Sequence, residues 1–427
     1  MLVWIVEIGE PLPGIDADVR EWRCGMLVRA LVTGGHTVTW WASTFDHISK
    51  RQRAGYPTRI QVEPALEIRL LHGPGYTKNR SIRRWIHHRV VAARFSREAR
   101  DERKPDIVFC CLPTIELAFE SVRYGTGMGV PVCIDIRDLW PDEYSRGVPN
   151  SLRGMFHLLL LWERRRVERA LTQTAAITAI SERFLEWGLT QARRRRTNAD
   201  AVFPMGYPAR RMYPVERVQA KTEQYRQNYG LDRNRMLVTF VGSFTHSFDF
   251  ATVVRAAREF DRGRGSEIKF ILAGDGPTMS EVRGMASGVT NMFFPGWLDQ
   301  ESVRAILDLS SVGLAPYHDS ASMSLPNKPF EYMAAGLPIL SSLKGELEHL
   351  ITKEGIGLQY QGGDVASLFE RLTWLLSNPE CRIEMATKAL ELFKERFSDE
   401  VIYPSLVLHL EKVCRVASED QCSKRDA

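Results

Sequence analysis

MLVTFVGSFTHSFD (residues 236–249) runs from an unbroken apolar segment through a glycine and hydroxyl residues into a helical pattern. The chain opens in the same way, with LVWIVEIGEPLPGIDADVREW (residues 2–22). A short apolar run bounded by turn residues reads as a buried strand, and a helical pattern behind it completes half of a βαβ unit. Outward from the first stretch, strand patterns recur at 36–42, 67–71, 106–111, 131–136 and 175–180. Helical patterns lie at 17–33, 81–103, 114–123, 151–171 and 181–187. Outward from the second, strands at 268–277, 291–294, 311–316 and 337–342 alternate with helical patterns at 250–260, 278–286, 300–309 and 328–335. Such alternation predicts α/β architecture with parallel sheets. The polar stretch 205–233 carries little core and marks the boundary. The expectation is two Rossmann-like doubly wound domains, 1–205 and 206–395. A terminal amphipathic helix, interrupted by Pro404, lies in 396–427. Two such domains in tandem set the carboxyl ends of both sheets around one interdomain cleft, where open α/β sheets bind ligands.

The totals agree with this reading. A chain of 427 residues with 44% hydrophobic and 26% charged residues has the composition of a globular protein of two or three domains. That excludes collagenous, coiled-coil and largely disordered classes. No apolar run approaches a membrane span, and the start lacks the basic region of a signal peptide, so the expectation is a cytoplasmic protein. Seven scattered cysteines without a CxxC argue against a disulfide framework or a zinc site. Residues 1–205 hold 31 Lys and Arg against 23 Asp and Glu, whereas the remainder holds 26 against 29. A basic first half predicts an anionic partner there.

Several clusters invite chemistry. After the first strand, a Gly/Pro turn leads to a helix start, a natural anion site. It has neither the Lys-Ser/Thr of a P-loop nor the GxGxxG spacing. Asp16 in this turn reads as a helix N-cap, with metal binding through Asp16-Ala17-Asp18 as the alternative. Residues 78–104 carry ten Lys and Arg against three acids, with Ile82, Trp85, Ile86 and Val90 at helical spacing. This is either a basic amphipathic helix resting on an anionic membrane or a solvated helix with core contacts. In IDIRDLWPDE (134–143), Asp135, Arg137 and Asp138 end a strand, where charge is more often functional than decorative. The competing reading has Arg137 pairing with a neighbouring carboxylate to tie down the loop. Gly242 permits close backbone approach, and Ser243 can donate to a phosphate. In SMSLPNKPFEYMAAGLPILSS (322–342), Lys328 at a helix start suits a diphosphate. Glu331, one turn on, can accept the two hydroxyl hydrogen bonds of a ribose.

PNKPFEYMAAGLPIL, together with DIRDLWPDE, AGDGP and FPMGY, resembles the family-4 retaining glycosyltransferases of GT-B fold, in the branch that builds bacterial surface polysaccharides. The resemblance spans nearly the whole chain and implies that the final helix crosses back onto the first domain. It implies transfer of a hexosyl or N-acetylhexosaminyl group from a nucleoside-diphosphate sugar, UDP favoured, to a lipid-linked or polysaccharide acceptor. Glu331 would bind the ribose. Lys328 and the amides near Met323, Ser324 and Leu325 would hold the diphosphate, Gly242 and Ser243 would line the phosphate side, and Gly14 would close the cleft. Asp138 would position the acceptor hydroxyl, with Asp16 and Arg137 on the cleft side. No metal and no cofactor beyond the donor is expected, nor any nucleic acid. Peripheral contact with the inner face of the plasma membrane through 78–104 is expected. Three departures stand out. Met323 replaces the second glutamate eight residues before Glu331, Ser243 and Ser247–Phe248 stand where many members carry Arg and Lys, and Arg137 stands where a histidine is frequent. A GT-B epimerase and a noncatalytic transferase-like binding module are the alternatives.

Overall fold

In the computed structural model of the chain, the structure describes residues 1–16, 20–79, 81–145, 148, 150–209, 214–230, 235–263, 267–321 and 323–425. The chain forms two compact units, Met1–Pro204 with Ile402–Ala427, and Met205–Val401. The first is built on an eight-stranded sheet: β1 (Leu2–Val6), β2 (Thr37–Ser43), β3 (Thr58–Glu63), β4 (Leu66–Leu71), β5 (Ile107–Leu112), β6 (Val132–Ile136), β7 (Ala176–Ala179) and β8 (Ala201–Val202). Its order is β3-β4-β2-β1-β5-β6-β7-β8, parallel except for the β3–β4 pair. The second has six parallel strands: β9 (Met236–Val241), β10 (Ile268–Ala273), β11 (Met292–Gly296), β12 (Val312–Ala315), β13 (Ile339–Ser341) and β14 (Gly357–Gln359). They are ordered β11-β10-β9-β12-β13-β14.

Central strands such as β1 and β5 are apolar throughout because helices cover both faces of a parallel sheet. Successive side chains then enter opposite cores. Trp4 and Val6 join one cluster with Trp41 and Phe95, while Val3 and Ile5 join another with Leu27 and Trp40. The C-terminal helix Asp399–Arg425 seals the second cluster with Ile402, Tyr403, Leu406, Val407, Leu410 and Val413. These recur at helical spacing, and the helix continues through Pro404 instead of breaking there. No helix among the described residues is long and apolar enough to cross a membrane.

Two expectations need correction, and two further elements are not announced by the sequence pattern. Helix α1 covers Arg23–Thr33 with Trp22 and not Asp16 at its N-cap; residues 20–22 precede it, and 17–19 of the expected helix lie outside the described residues. Asp16 instead takes a forked ion pair from Arg53, with the Arg53 Nη2 at 2.6 Å. The Glu10 carboxylate accepts from the Cys24 amide (2.8 Å) at the start of α1, a cap reaching across fourteen positions. Strand β3 has no apolar run to announce it, because TRIQVE is an antiparallel edge whose residues alternate between half-buried and exposed. The polar stretch 205–233 contains the helix Val215–Tyr229, of which Val218 is buried.

A buried charge network ties the loop ends of the first sheet together. Asp135 on β6 is wholly buried and grips Arg23 bidentately (2.8 and 2.9 Å). It also accepts from Thr178 (2.8 Å) and from Arg137 (2.8 Å). Burial alone would raise this carboxyl, but Arg23 and then Arg137 outweigh it and hold it below the usual carboxylate range. Glu7, at the end of β1, has no such partner. Burial pushes it up to about 7, against the pull of Arg137 and with help from Glu10. Unfolded, this carboxyl titrates near 4.5. Between the two values the folded chain holds a proton that the unfolded chain releases, so stability falls as pH rises through that window and levels off above it. Glu7→Gln should remove this part of the pH dependence in urea unfolding; a slope identical to wild type would contradict the assignment.

Candidate functional site

The second unit gathers its polar groups at the carboxyl ends of β9 and β10. Beyond β9 the chain turns at Gly242, whose amide donates to the Ala273 carbonyl (2.9 Å). Phe244 donates in turn to the Asp275 carbonyl (2.9 Å), which pairs the loop after β9 with the AGDGP turn. A Cβ at Gly274 would run into the Gly242 carbonyl, so the close approach of the two loops requires glycine. A Cβ at Gly242 would overlap the Lys328 ammonium. Lys328 thus fills the space that residue 242 leaves open. It donates to the Val241 carbonyl, and its Nζ lies 4.5 Å from the Phe240 ring centre and 5.2 Å from that of Phe248.

The helix that carries Lys328, Asn327–Ala334, is held from below. Phe330, Tyr332 and Met333 are buried, and the Tyr332 hydroxyl donates to the Leu314 carbonyl (2.9 Å). The ring of Tyr332 occupies the space over Gly313 that a side chain there would need. With that face buried, Lys328 and Glu331 stay half-buried on the other. The Glu331 Oε1 accepts from the Tyr207 hydroxyl (2.9 Å). Tyr207 is fixed through its backbone to Phe397 (3.2 Å) and Asp399 (3.0 Å). Sequence reasoning missed this partner. FPMGY is visible as a motif, but nothing local joins it to a residue 124 positions on.

The other expected residues are placed as follows. Ser243 is exposed beside Gly242. Ser324 is buried and donates to Glu346 (2.6 Å), Leu325 is buried, and Met323 packs against the same core. Gly14 lies in a left-handed turn (φ 71°) against Val62. Arg137 pairs with Asp135 and Glu10 and contacts the Cys24 sulfur (3.1 Å), so it ties down the loop. Asp138 accepts from the Leu139 amide (2.9 Å) and the Trp140 indole (3.0 Å); an acceptor hydroxyl would have to share those oxygens. Asp18 and Ser322 lie outside the described residues. Gly14, Asp16, Arg137 and Asp138 belong to the first unit, whereas Gly242, Ser243, Met323, Ser324, Leu325, Lys328 and Glu331 belong to the second.

Residues 235–378, within the second unit, match the family described as Glycosyl transferases group 1. Over 283 residues, 64% of this chain and 68% of the relative, the sequence is 24% identical to the alpha-D-kanosaminyltransferase of Streptomyces kanamyceticus. The sucrose-phosphate synthase structure from Thermosynechococcus elongatus superposes with a TM-score of 0.71 at 16% identity, covering 97% of this chain and 99% of that one. Anabaena HepE in complex with UDP-glucose superposes with a TM-score of 0.64 at 12% identity, covering 96% and 100%. The fold is therefore GT-B, two α/β domains with parallel sheets.

The overlap between Lys328 and a side chain at 242 gives a direct test. Gly242→Ala imposes both a clash with the lysine and a backbone cost at φ 148°. In a Lys328→Ala background only the backbone cost remains. Gly242→Ala should therefore cost less there, by about 0.5–3 kcal/mol, the usual coupling of residues in contact. Equal costs in the two backgrounds, read by urea unfolding, would contradict the packing.

Proposed function

We propose that the chain is a retaining glycosyltransferase that takes a nucleoside-diphosphate sugar, UDP favoured, and serves bacterial cell-surface glycan synthesis with a lipid-linked or polysaccharide acceptor. The observation that carries the reading is Lys328 seated at Gly242 with Glu331 one turn away on the same helix. A fixed cation at the end of the strand is suited to a diphosphate, and a half-buried carboxylate oriented by Tyr207 is suited to a ribose diol. In this reading Lys328 stabilises charge on the departing diphosphate. The departing group takes the acceptor's proton on the same face of the sugar, so no protein nucleophile is needed. The carboxylate held by Tyr207 keeps the nucleotide in register while this happens.

The membrane reading draws on α2 (Ile82–Glu98). Its His87, His88, Val91, Ala92 and Phe95 face the core, while Ile82 is 77% exposed and Trp85 and Ile86 are also exposed. The Trp85 indole donates to Glu163 (3.2 Å), near the exposed Leu158, Leu159 and Trp162. Apolar and aromatic side chains among arginines suit the interface of an anionic bilayer.

Two measurements test this function. UDP should raise the melting temperature of wild type and not that of Glu331→Ala; no stabilisation of folded wild type by any nucleoside diphosphate would overturn the transferase reading. Cosedimentation with anionic vesicles should collapse at high salt and on charge reversal within 83–97. Binding indifferent to both would remove the membrane contact.

A further inference from the structure

Beyond the ends of β2 and β4 in the first unit, Lys50 and Arg84 converge on the same two residues. The Lys50 Nζ donates to the Asn79 side-chain oxygen (2.6 Å) and lies 5.0 Å from the Tyr76 ring centre. The Arg84 guanidinium donates to the Asn79 carbonyl (3.0 Å) and lies 5.7 Å from the same ring and 4.7 Å from that of Trp140. Both cations are half-buried. Among the described residues no carboxylate stands within ion-pair distance of either. Asp46, in the same loop as Lys50, spends its carboxylate on the Ile48 and Ser49 amides and on Arg53.

Neighbouring titratable groups respond to this positive charge, with Asp46 as the opposing carboxylate. His47, bonded to the Tyr76 hydroxyl (2.5 Å), is pushed down to about 4 by burial, then by Lys50, then by Arg84. It is therefore neutral at neutral pH. Lys50 is itself lowered by burial and by Arg84. Its backbone is also left-handed (φ 59°), a conformation that glycine or asparagine would hold at less cost. A costly backbone carrying a charged side chain next to a second unpaired cation is the pattern of a ligand clamp.

We propose that Lys50, Arg84 and Asn79 form a phosphate-binding subsite in the first unit, and that the acceptor therefore carries a phosphoryl or diphosphoryl group. The Lys50 ammonium also donates to the His47 carbonyl and lies 3.4 Å from the His47 Nδ1, so a phosphate would take one of its N–H groups in exchange for a neutral acceptor. Among the described residues the Arg84 guanidinium donates only from Nε to His88 (3.4 Å) and from Nη1 to Asn79, and its remaining N–H groups suit phosphate oxygens. The proposal rests on the transferase reading only in naming the ligand an acceptor.

The test is calorimetric binding of inorganic pyrophosphate to the full chain with UDP at saturation, so that the second unit's site is occupied. Wild type should bind, and Lys50→Gln and Arg84→Gln should each weaken binding about tenfold or more, with UDP affinity unchanged. Should Lys50→Gln fail to fold, Arg84→Gln, on a helix, carries the test. Two further probes identify the source of the phosphate. Loss in the variants of glucose 6-phosphate binding marks a soluble sugar phosphate, and loss of binding to phosphatidylcholine vesicles doped with phosphatidic acid marks a lipid-borne one. Either supports the subsite. Pyrophosphate binding that is absent in wild type, or equal in wild type and both variants, overturns it. Failure of UDP to bind would sink the transferase reading separately, and pyrophosphate without UDP would then read the subsite alone.

Discussion

Residue 242 has no side chain, and the arrangement at the carboxyl end of the second sheet depends on that gap. The Lys328 ammonium lies where a Cβ would be, and the Gly242 carbonyl lies where a Cβ of Gly274 would be. Two backbone turns and one cation are thereby stacked with no room for substitution. The cation cannot retreat without leaving the Val241 carbonyl and the faces of Phe240 and Phe248. Tyr332, locked over Gly313, keeps the supporting helix from sliding. The result is a preorganised positive charge on a rigid element, which is what stabilising a departing diphosphate requires.

The first unit uses its charges in two ways. Asp135, Arg23, Arg137 and Glu10 are satisfied by one another. Removing one partner of such a buried set typically costs about 3–5 kcal/mol, because the other charge is left unpaired. Those groups hold the loops after β1 and β6. Lys50 and Arg84 are the reverse case, cations in a half-buried place with acceptors that are neutral. The contrast within a single unit separates charge that supports structure from charge available to a ligand.

Most of the fold is legible in the sequence because parallel strands covered on both faces must be apolar along their length. β1, β5, β9 and β10 announce themselves for that reason. β3 does not, since this edge strand only half-buries alternate residues. The helix Val215–Tyr229 is nearly invisible because it gives the core so little. The start of α1 escaped because its cap comes from Glu10 and not from the residue before the helix. In the candidate site, Lys328 and Glu331 are legible from their spacing on one helix. Tyr207 is not, because its link to Glu331 exists only once the chain has folded. Arg137 illustrates a different limit: a charged residue at a strand end reads as functional until its partners Asp135 and Glu10 are seen.

In the proposed function the nucleotide lies between the loop after β9 and the start of the Lys328 helix. Hydrogen–deuterium exchange of the full chain with and without UDP addresses it directly. UDP should slow exchange in residues 242–247 and 323–331 together. Protection that leaves both segments unchanged while appearing elsewhere would contradict it.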